Sequence, residues 1–439
     1  MSQKTQYKNL YPESFKPEDY LKEETYKHTR AAVEHALTII PEAYTSEEFH
    51  RLEQKQIFQN SWVPCAVLPE VKKPGDVKVV EVGGESIIIT RNKEGELRAF
   101  YNVCRHRGVQ MLDKECTAVK SARIRCPYHS WAYDLNGKCL GTPLFEGSDI
   151  PADMQGMFGM GGVDKFTKED YPLFDLHVDS WGVLIFIHMG ENPPPLSEQL
   201  GDLIERFAPY HLEDWEIAAT QQFVFDANYK LVGENFMEYY HLPWVHPELI
   251  KVSRMEDHYR YQGDGMYTGM MTWPISAGDE GGWLGLPPFS GLQADQLESA
   301  KFIWLFPCVA LSVMPNHLFI MVTKPQGPHL TIEDTYVMCH PESLAAEGAD
   351  KEVQQLVDFW TLVNQQDIDI VAKMHAGIRS RAYKGGRMCY HFEEPVHRYM
   401  NMVIDKMVGI ERIPKGDDAP DDRVSMFGSK DKSFEPPAG

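Results

Sequence analysis

Cysteine is scarce: the chain has eight in 439 residues, too few and too scattered for a disulfide framework. Cationic residues are in deficit, with 43 Lys and Arg against 64 Asp and Glu and a formal charge of −21. Such a chain is ill-suited to nucleic acid, whose phosphates are bound through Lys and Arg. An acidic surface favours instead a cationic small molecule or a basic partner. Long apolar runs are also missing. The stretch from Phe302 to Met314 is apolar but short, and Pro307 interrupts it, so nothing approaches the ~20 residues a membrane-crossing helix needs. Met1 to Tyr7 lack the apolar core of a secretory signal. A reducing, cytoplasmic setting is therefore expected. No Gly-x-Gly-x-x-Gly stands at a strand-to-helix turn, and the glycine-rich stretch from Gly156 to Gly162 fails that test. The chain is thus not expected to hold a nicotinamide or flavin dinucleotide itself. No internal repeat is visible.

What is present is more specific. Cys104-Arg105-His106 is followed by Cys126-Pro127-Tyr128-His129. Each pair offers one thiolate and one imidazole. A [2Fe–2S] cluster with two cysteines on one iron and two histidines on the other needs this set. The rival is a structural zinc site, but zinc sites usually group Cys-x(2–4)-Cys before His-x(3–5)-His, whereas sulfur and nitrogen alternate here. The flanking residues predict loops at the tip of a small β domain. Ser86–Thr90, a turn over Arg91–Gly95, and Leu97–Tyr101 form a hairpin leading to Cys104. Trp131 to Leu140, turning at Gly137, forms another after His129. Cys65, Cys116, Cys139, Cys308, Cys339 and Cys389 are read as unpaired thiols.

A second constellation lies in Glu234-Asn-Phe-Met-Glu238-Tyr-Tyr-His241-Leu-Pro243-Trp-Val-His246. At about 100° per residue, Glu234, Glu238 and His241 fall within roughly 60° of one another on a helix. Pro243 is expected to break that helix and let His246 return beside His241. Two neutral imidazoles and one carboxylate on one face of an octahedral ion make the facial triad of non-heme Fe(II), with positions left open for O2 and substrate. The carboxylate is sought on a predicted helix from Asp350 to about Gly377, whose apolar stripe runs Val353, Val357, Trp360, Val371, Met374. Asn364 and Asp367 share that stripe, while Asp358 and Asp369 project elsewhere. A carboxylate on a core-facing stripe must be paired or metal-bound. Asp367 is accordingly the third ligand, or else the partner of an arginine such as Arg379.

These motifs resemble the Rieske non-heme iron oxygenases, catalytic α subunit. The first matches the Rieske motif, though the gap between the pairs is longer than usual and Ser130 stands where glycine is common. The second matches Glu-x-x-x-(Asp/Glu)-x-x-His-x(4)-His, which carries the mononuclear iron. The resemblance implies that Cys104, His106, Cys126 and His129 hold the [2Fe–2S] cluster, and that His241, His246 and Asp367 hold Fe(II). It also gives Glu238 the catalytic part of a bridge between His241 and the His129 of a neighbouring subunit, in a head-to-tail homotrimer. The family usually has Asp at that position; Glu is a departure shared with monooxygenases of quaternary ammonium compounds such as carnitine and glycine betaine. The activity implied is O2-dependent hydroxylation or N-demethylation of a small betaine-like cation, with electrons from a separate NAD(P)H-dependent reductase. Ring hydroxylation of an aromatic acid or hydrocarbon is the alternative. Tyr239, Trp273, Trp283, Phe302 and Trp304 are available to line a pocket for either.

The expected fold class is α+β: a β-rich Rieske domain plus a catalytic domain whose antiparallel sheet is covered by helices, a helix-grip (START-like) arrangement. Residues 1–60 form an N-terminal helical segment packing on the catalytic domain, with a capping box at Thr45–Glu48. The Rieske domain spans 61–175, the catalytic domain 176–413 and a flexible tail 414–439. Trp181–Ile187 is read as the first catalytic-domain strand, and Gly263–Gly291 as irregular.

Overall fold

The structure, a computed structural model, describes residues 14–147, 149–154, 161–247, 249–251, 254–273, 275 and 286–413. The proposed tail, Trp283 and most of the Gly156–Gly162 stretch lie outside the described residues. The chain divides into two compact units, Gln59–Pro193 and the combination of Met1–Phe58 with Pro194–Gly439.

The smaller unit is built from antiparallel strands. Its six-stranded sheet runs in the order β1-β9-β8-β4-β3-β2, with β1 Val63–Val67, β2 Val77–Val82, β3 Glu85–Arg91, β4 Leu97–Tyr101, β8 Asp175–Trp181 and β9 Leu184–His188. Gly83 and Gly84 join β2 to β3 with φ of 61° and 80°, the two left-handed residues a tight hairpin with the right twist demands. A three-stranded sheet of β5 Arg123–Arg125, β6 Ala132–Asp134 and β7 Cys139–Gly141 carries the second Cys/His loop. At its turn Asp134 Oδ1 accepts from the amides of Asn136 and Lys138, both at 2.9 Å. Gly137 (φ 80°) lies flat on Phe100, where a Cβ would come within 2.5 Å of the ring.

One strand departs from expectation. Leu184–His188 is the apolar run expected to open the catalytic domain, but it pairs with β1 and β8 in the smaller unit. Buried at all five positions, it sits in the interior of that sheet. A continuous apolar run announces a central strand but not which sheet owns it.

The larger unit centres on a seven-stranded antiparallel sheet, β10-β16-β15-β14-β13-β12-β11. Its strands are β10 Glu216–Phe225, β11 His258–Arg260, β12 Tyr267–Thr272, β13 Ala300–Leu305, β14 Val309–Val313, β15 Leu318–Pro325 and β16 Thr331–Cys339. Strand β12 falls in the stretch expected to be irregular; its six residues are all buried, and Gly269 lets the chain lie against the Phe302 carbonyl. The apolar run through 302–311 is two strands, β13 and β14, parted around Pro307, which has no N–H for a ladder.

Helices cover this sheet. In the N-terminal segment α1 spans Glu42–Thr45 and α2 Glu47–Glu53. The cap falls on Ser46, whose hydroxyl accepts from the Phe49 amide, rather than on Thr45. Beyond them α3 spans Tyr229–Met237, α4 Leu242–Val245, α5 Ala349–Ile378 and α6 Tyr390–Val408. Lys230 on α3 and Glu53 at the end of α2 form a fully buried ion pair at 2.5 Å, so the N-terminal segment is tied to α3 by two charges neither of which can be removed alone without large cost. The inward stripe of α5 is Leu356, Trp360, Asn364, Val371, His375 and Ile378. It is rotated from the expected stripe, and Met374 is 39 % exposed.

Candidate metal centres

In the smaller unit the two Cys/His loops have the same backbone plan. The Cys104 amide donates to the Val109 carbonyl and the Cys104 carbonyl accepts from the Gly108 amide; Cys126 does the same with Trp131 and Ser130. Each loop then closes on a residue in the left-handed region, Gly108 at φ 71° and Ser130 at φ 59°. Cys104 and Cys126 are buried in an apolar cluster with Ile88, Phe100, Ile124 and Tyr133. The imidazoles of His106 and His129 lie outward of them with ring centroids 4.7 Å apart. Trp131 stacks on His106 at 5.1 Å and 9°. The Tyr133 hydroxyl lies 3.7 Å from Cys104 Sγ and accepts from the Arg105 amide. Burial pushes the Cys104 thiol up; a metal that takes the thiolate removes that penalty. Two buried sulfurs behind two outward imidazoles suit a cluster with a sulfur-held inner iron and a histidine-held outer one. His129 is exposed, and Tyr128 beside it is 57 % exposed.

In the larger unit, α3 ends at Met237, and Glu238 is extended at φ −112°, ψ 160°. The break therefore comes before Pro243, which sits in the first turn of α4, where a missing N–H costs nothing. The cause is local. Glu238 Oε2 accepts from the amides of Tyr240 and His241, and such side-chain bonds compete with helix continuation. His241 and His246 flank α4 at its two ends.

His241, His246 and Asp367 bring one ligand atom each within 4.8 Å of one another. Asp367 Oδ1 lies 2.9 Å from His246 Nε2 and 3.8 Å from His241 Nε2. His241 Nδ1 meets Glu238 Oε1 at 2.6 Å, and His246 Nδ1 meets Gln366 Oε1 at 2.7 Å. Both of those oxygens can only accept, so both imidazoles carry their proton on Nδ1 and turn a lone pair on Nε2 toward Asp367. With both imidazoles neutral, three acceptors converge there, Asp367 Oδ1 lying 2.9 Å from His246 Nε2. A cation at that point resolves the conflict, and its three ligands fit the Fe(II) triad. Arg379 plays no part in pairing Asp367; Asn235 Nδ2 donates to Asp367 Oδ1 at 2.8 Å instead. Burial lowers the affinity of His241 for a proton, but the charge and hydrogen bond of Glu238, with Asp367 behind, outweigh it and leave the imidazole raised. A second close group, His211, Glu213 and Asp214, is exposed and, among the described residues, shows no such supporting side-chain hydrogen bonds to buried partners.

Glu234, expected beside Glu238 and His241, is separated from them by the break. It is buried and bonded through both oxygens to the Tyr44 hydroxyl, at 2.8 and 3.0 Å. Asn235 and Gln366 were not foreseen, because amide side chains carry no ligand spacing. The only sequence signal is that Gln366 adjoins Asp367 on α5 and that Asn235 on α3 precedes the segment carrying His241 and His246.

Beside the triad, between α3, α5 and the inner face of the sheet, lies a cavity with about 300 Å³ of atom-free space, part of it open to solvent. Asp367 and Asn235 form one wall; Phe225, Phe236 and Trp304 supply aromatic faces, and Glu333 of β16 a carboxylate. Of the expected lining residues that lie among the described residues, only Trp304 is placed there. Tyr239 packs on His258 and Phe392, Phe302 stands behind Phe236, and the Trp273 amide donates to the Asp257 carbonyl. Gly233 on α3 allows the Trp304 indole to lie against the helix, since a Cβ would be 2.7 Å from it.

Comparison with known proteins agrees with this geometry. Residues 61–152 match the Rieske [2Fe-2S] domain, and residues 212–409 match the ring hydroxylating alpha subunit, catalytic domain. The glycine betaine monooxygenase oxygenase subunit of Pseudomonas aeruginosa is 26 % identical over 407 residues, 85 % of this chain and 90 % of that one. The carnitine monooxygenase oxygenase subunit of Escherichia coli is 27 % identical over 384 residues, 86 % and 91 % of the two chains. Among solved structures, the quaternary ammonium Rieske monooxygenase CntA in complex with L-carnitine superposes with a TM-score of 0.68 at 24 % identity, over 90 % of this chain and 99 % of that one. At that identity the likeness is one of fold.

Proposed function

The chain belongs to the Rieske non-heme iron oxygenases, as a catalytic α subunit, and from that premise we propose that it is a terminal oxygenase acting on a small quaternary ammonium substrate. The observation that carries this reading is the convergence of His241, His246 and Asp367 beside a cavity with both aromatic faces and a carboxylate. Aromatic faces attract an ammonium through their quadrupoles. The two relatives named above, for glycine betaine and carnitine, point the same way, as does glutamate at position 238.

When bound, the cluster supplies electrons one at a time and the ferrous ion activates dioxygen. The chain's own residues set the stage for that chemistry. Glu238 and Gln366 hold the two imidazoles in the tautomer that offers Nε2. Asn235 fixes the Asp367 carboxylate. Glu238 is also the proposed bridge to a neighbouring subunit's cluster histidine, because a carboxylate between two imidazole N–H groups gives a short, rigid path. Its position among exposed Tyr240 and Trp244, the latter 72 % exposed, and the exposure of His129 in the other unit support a head-to-tail homotrimer. A separate NAD(P)H-dependent reductase is the proposed electron source. Overall, O2, two electrons and two protons convert a C–H bond to C–OH and yield one water. On an N-methyl group the product then loses formaldehyde.

The test is formaldehyde or hydroxylated product from glycine betaine, choline, carnitine and proline betaine, with a ferredoxin-type reductase supplied. Turnover of at least one cation supports the reading. Turnover confined to aromatic acids or hydrocarbons overturns it in favour of ring hydroxylation.

A further inference from the structure

Glu333 is an unusual residue for the buried face of a sheet. It lies on β16, wholly buried, and faces α5. Its Oε1 accepts from Asn364 Nδ2 at 2.7 Å. Its Oε2 is equally buried and has no hydrogen-bond partner among the described residues. Among the described residues no cation pairs with it; burial pushes the carboxyl up to about 8 against the Asn364 hydrogen bond, and the like charges of Asp367 and Asp334 add to the rise. A half-satisfied buried carboxylate costs stability, and replacing it by an apolar group would relieve that cost. Its presence therefore requires a reason outside the fold of the free protein.

The cavity supplies one. Glu333 shares its wall with Trp304, Phe236 and Phe225, and with Asp367 of the triad. We propose that Glu333 is the charge-recognition residue for the substrate: its unpartnered Oε2 faces the ammonium pole, the aromatic rings enclose the methyl groups, and Asn364 holds the carboxylate in place. This rests on the quaternary ammonium reading above and names the residue that enforces it. A quaternary ammonium donates no hydrogen bond, so the attraction is electrostatic, and a cation seated against Oε2 favours the ionised carboxylate that burial alone disfavours. An uncharged molecule of the same shape gains nothing from Glu333. The same placement excludes anionic substrates, which would meet two carboxylates, and disfavours hydrocarbons, which would leave Oε2 unpaired.

The test compares choline with its uncharged carbon isostere, 3,3-dimethylbutan-1-ol, and also uses glycine betaine and carnitine. Binding to the iron-loaded holoenzyme is measured by calorimetry for wild type, Glu333→Gln and Glu333→Asp. Glutamine preserves the shape and the Asn364 contact, so folding is expected to hold, checked by the cluster's visible spectrum and by the melting temperature. The expected result is that Glu333→Gln weakens the cations by about tenfold or more, about 1.4 kcal/mol, leaves the isostere unchanged or tighter, and leaves iron content intact. Glu333→Asp is expected to retain part of the preference for cation over isostere. If Glu333→Gln binds the cations as well as wild type, or loses cation and isostere equally, the assignment of Glu333 is wrong while the quaternary ammonium reading stands. If wild type binds none of the cations, the functional reading itself fails, and the assignment with it.

Discussion

Glu238 Oε1 lies 2.6 Å from His241 Nδ1, and the other oxygen of the same carboxylate accepts from two backbone amides that follow it. One side chain thus ends α3, sets the turn that presents His241, and fixes which nitrogen that imidazole offers. A residue with a purely electronic role would not need the backbone bonds, and one with a purely structural role would not need the imidazole.

Replacing Glu238 separates these tasks. Glu238→Gln keeps an oxygen for the backbone amides, and the protein is expected to retain both metals. Multiple turnover is expected to fall about 10- to 100-fold, the range seen when a residue supporting a metal-bound histidine is lost. Iron analysis together with rapid-mixing measurement of cluster oxidation checks this; near-normal electron transfer in the variant would contradict the bridging role.

Asn235 should matter nearly as much as a ligand. Its amide is the hydrogen-bond donor that holds Asp367 Oδ1 at 2.8 Å. Asn235→Leu is expected to weaken binding of the mononuclear iron by about 10- to 100-fold and to leave the visible spectrum of the cluster unchanged. Titration of the metal-depleted protein with ferrous ion reads this directly. Unaltered iron affinity would make Asn235 a mere packing residue.

Ser130 occupies a position whose counterpart in the other loop is Gly108. A side chain in the left-handed region costs roughly 1–2 kcal/mol. Ser130→Gly recovers part of that, less the added freedom of the unfolded chain, so a gain of up to about 1 kcal/mol is expected, visible as a higher midpoint of cluster bleaching on heating. A loss of stability would show that the serine has a compensating partner in the assembled protein.

Glu234 gives the protein a pH dependence of stability. Burial pushes its carboxyl up to about 8, against the pull of the Tyr44 hydroxyl and the Lys230 charge. The folded state therefore holds this proton more tightly than the unfolded state. The resulting stability is fully present below the ordinary glutamate value and declines as pH rises to about 8, with a slope of at most about 1.4 kcal/mol per pH unit. Glu234→Gln, which can still accept from Tyr44, is expected to be less sensitive to pH between 5 and 8 and to overtake wild type at the alkaline end. Parallel melting curves for the two proteins across that range would contradict the assignment.

Legibility in the sequence followed the range of the forces involved. The hairpin of β3 and β4, and that of β6 and β7, could be read because turn residues act within a few positions. Cys104, His106, Cys126, His129, His241 and His246 stood out because their residue types and spacings have few other uses. Asp367 followed from the cost of burying a carboxylate. By contrast, the sheet that owns Leu184–His188 is chosen by tertiary pairing with β1, which the apolar run does not encode. Helix α3 ends at Met237, before Glu238 and well before Pro243, because a side chain captures two amides, a local event no propensity anticipates. On α5 the buried face passes through His375 and Ile378 while Met374 is exposed, since packing against neighbouring elements, not hydropathy alone, sets the rotation of a helix. Glu333 could not be found at all from the sequence, where it reads as one acid beside another in an edge of polar residues.

The most direct test of the account is iron and acid-labile sulfide per chain, with the ferrous nitrosyl EPR signal, in wild type and Asp367→Ala. Wild type is expected to hold about three irons and about two sulfides, from one [2Fe–2S] cluster and one triad-bound ion, and to give the nitrosyl signal. Asp367→Ala is expected to keep about two of each, with the cluster spectrum intact, and to lose the signal. A variant that still binds the third iron and still gives the signal would show that His241, His246 and Asp367 are not the site.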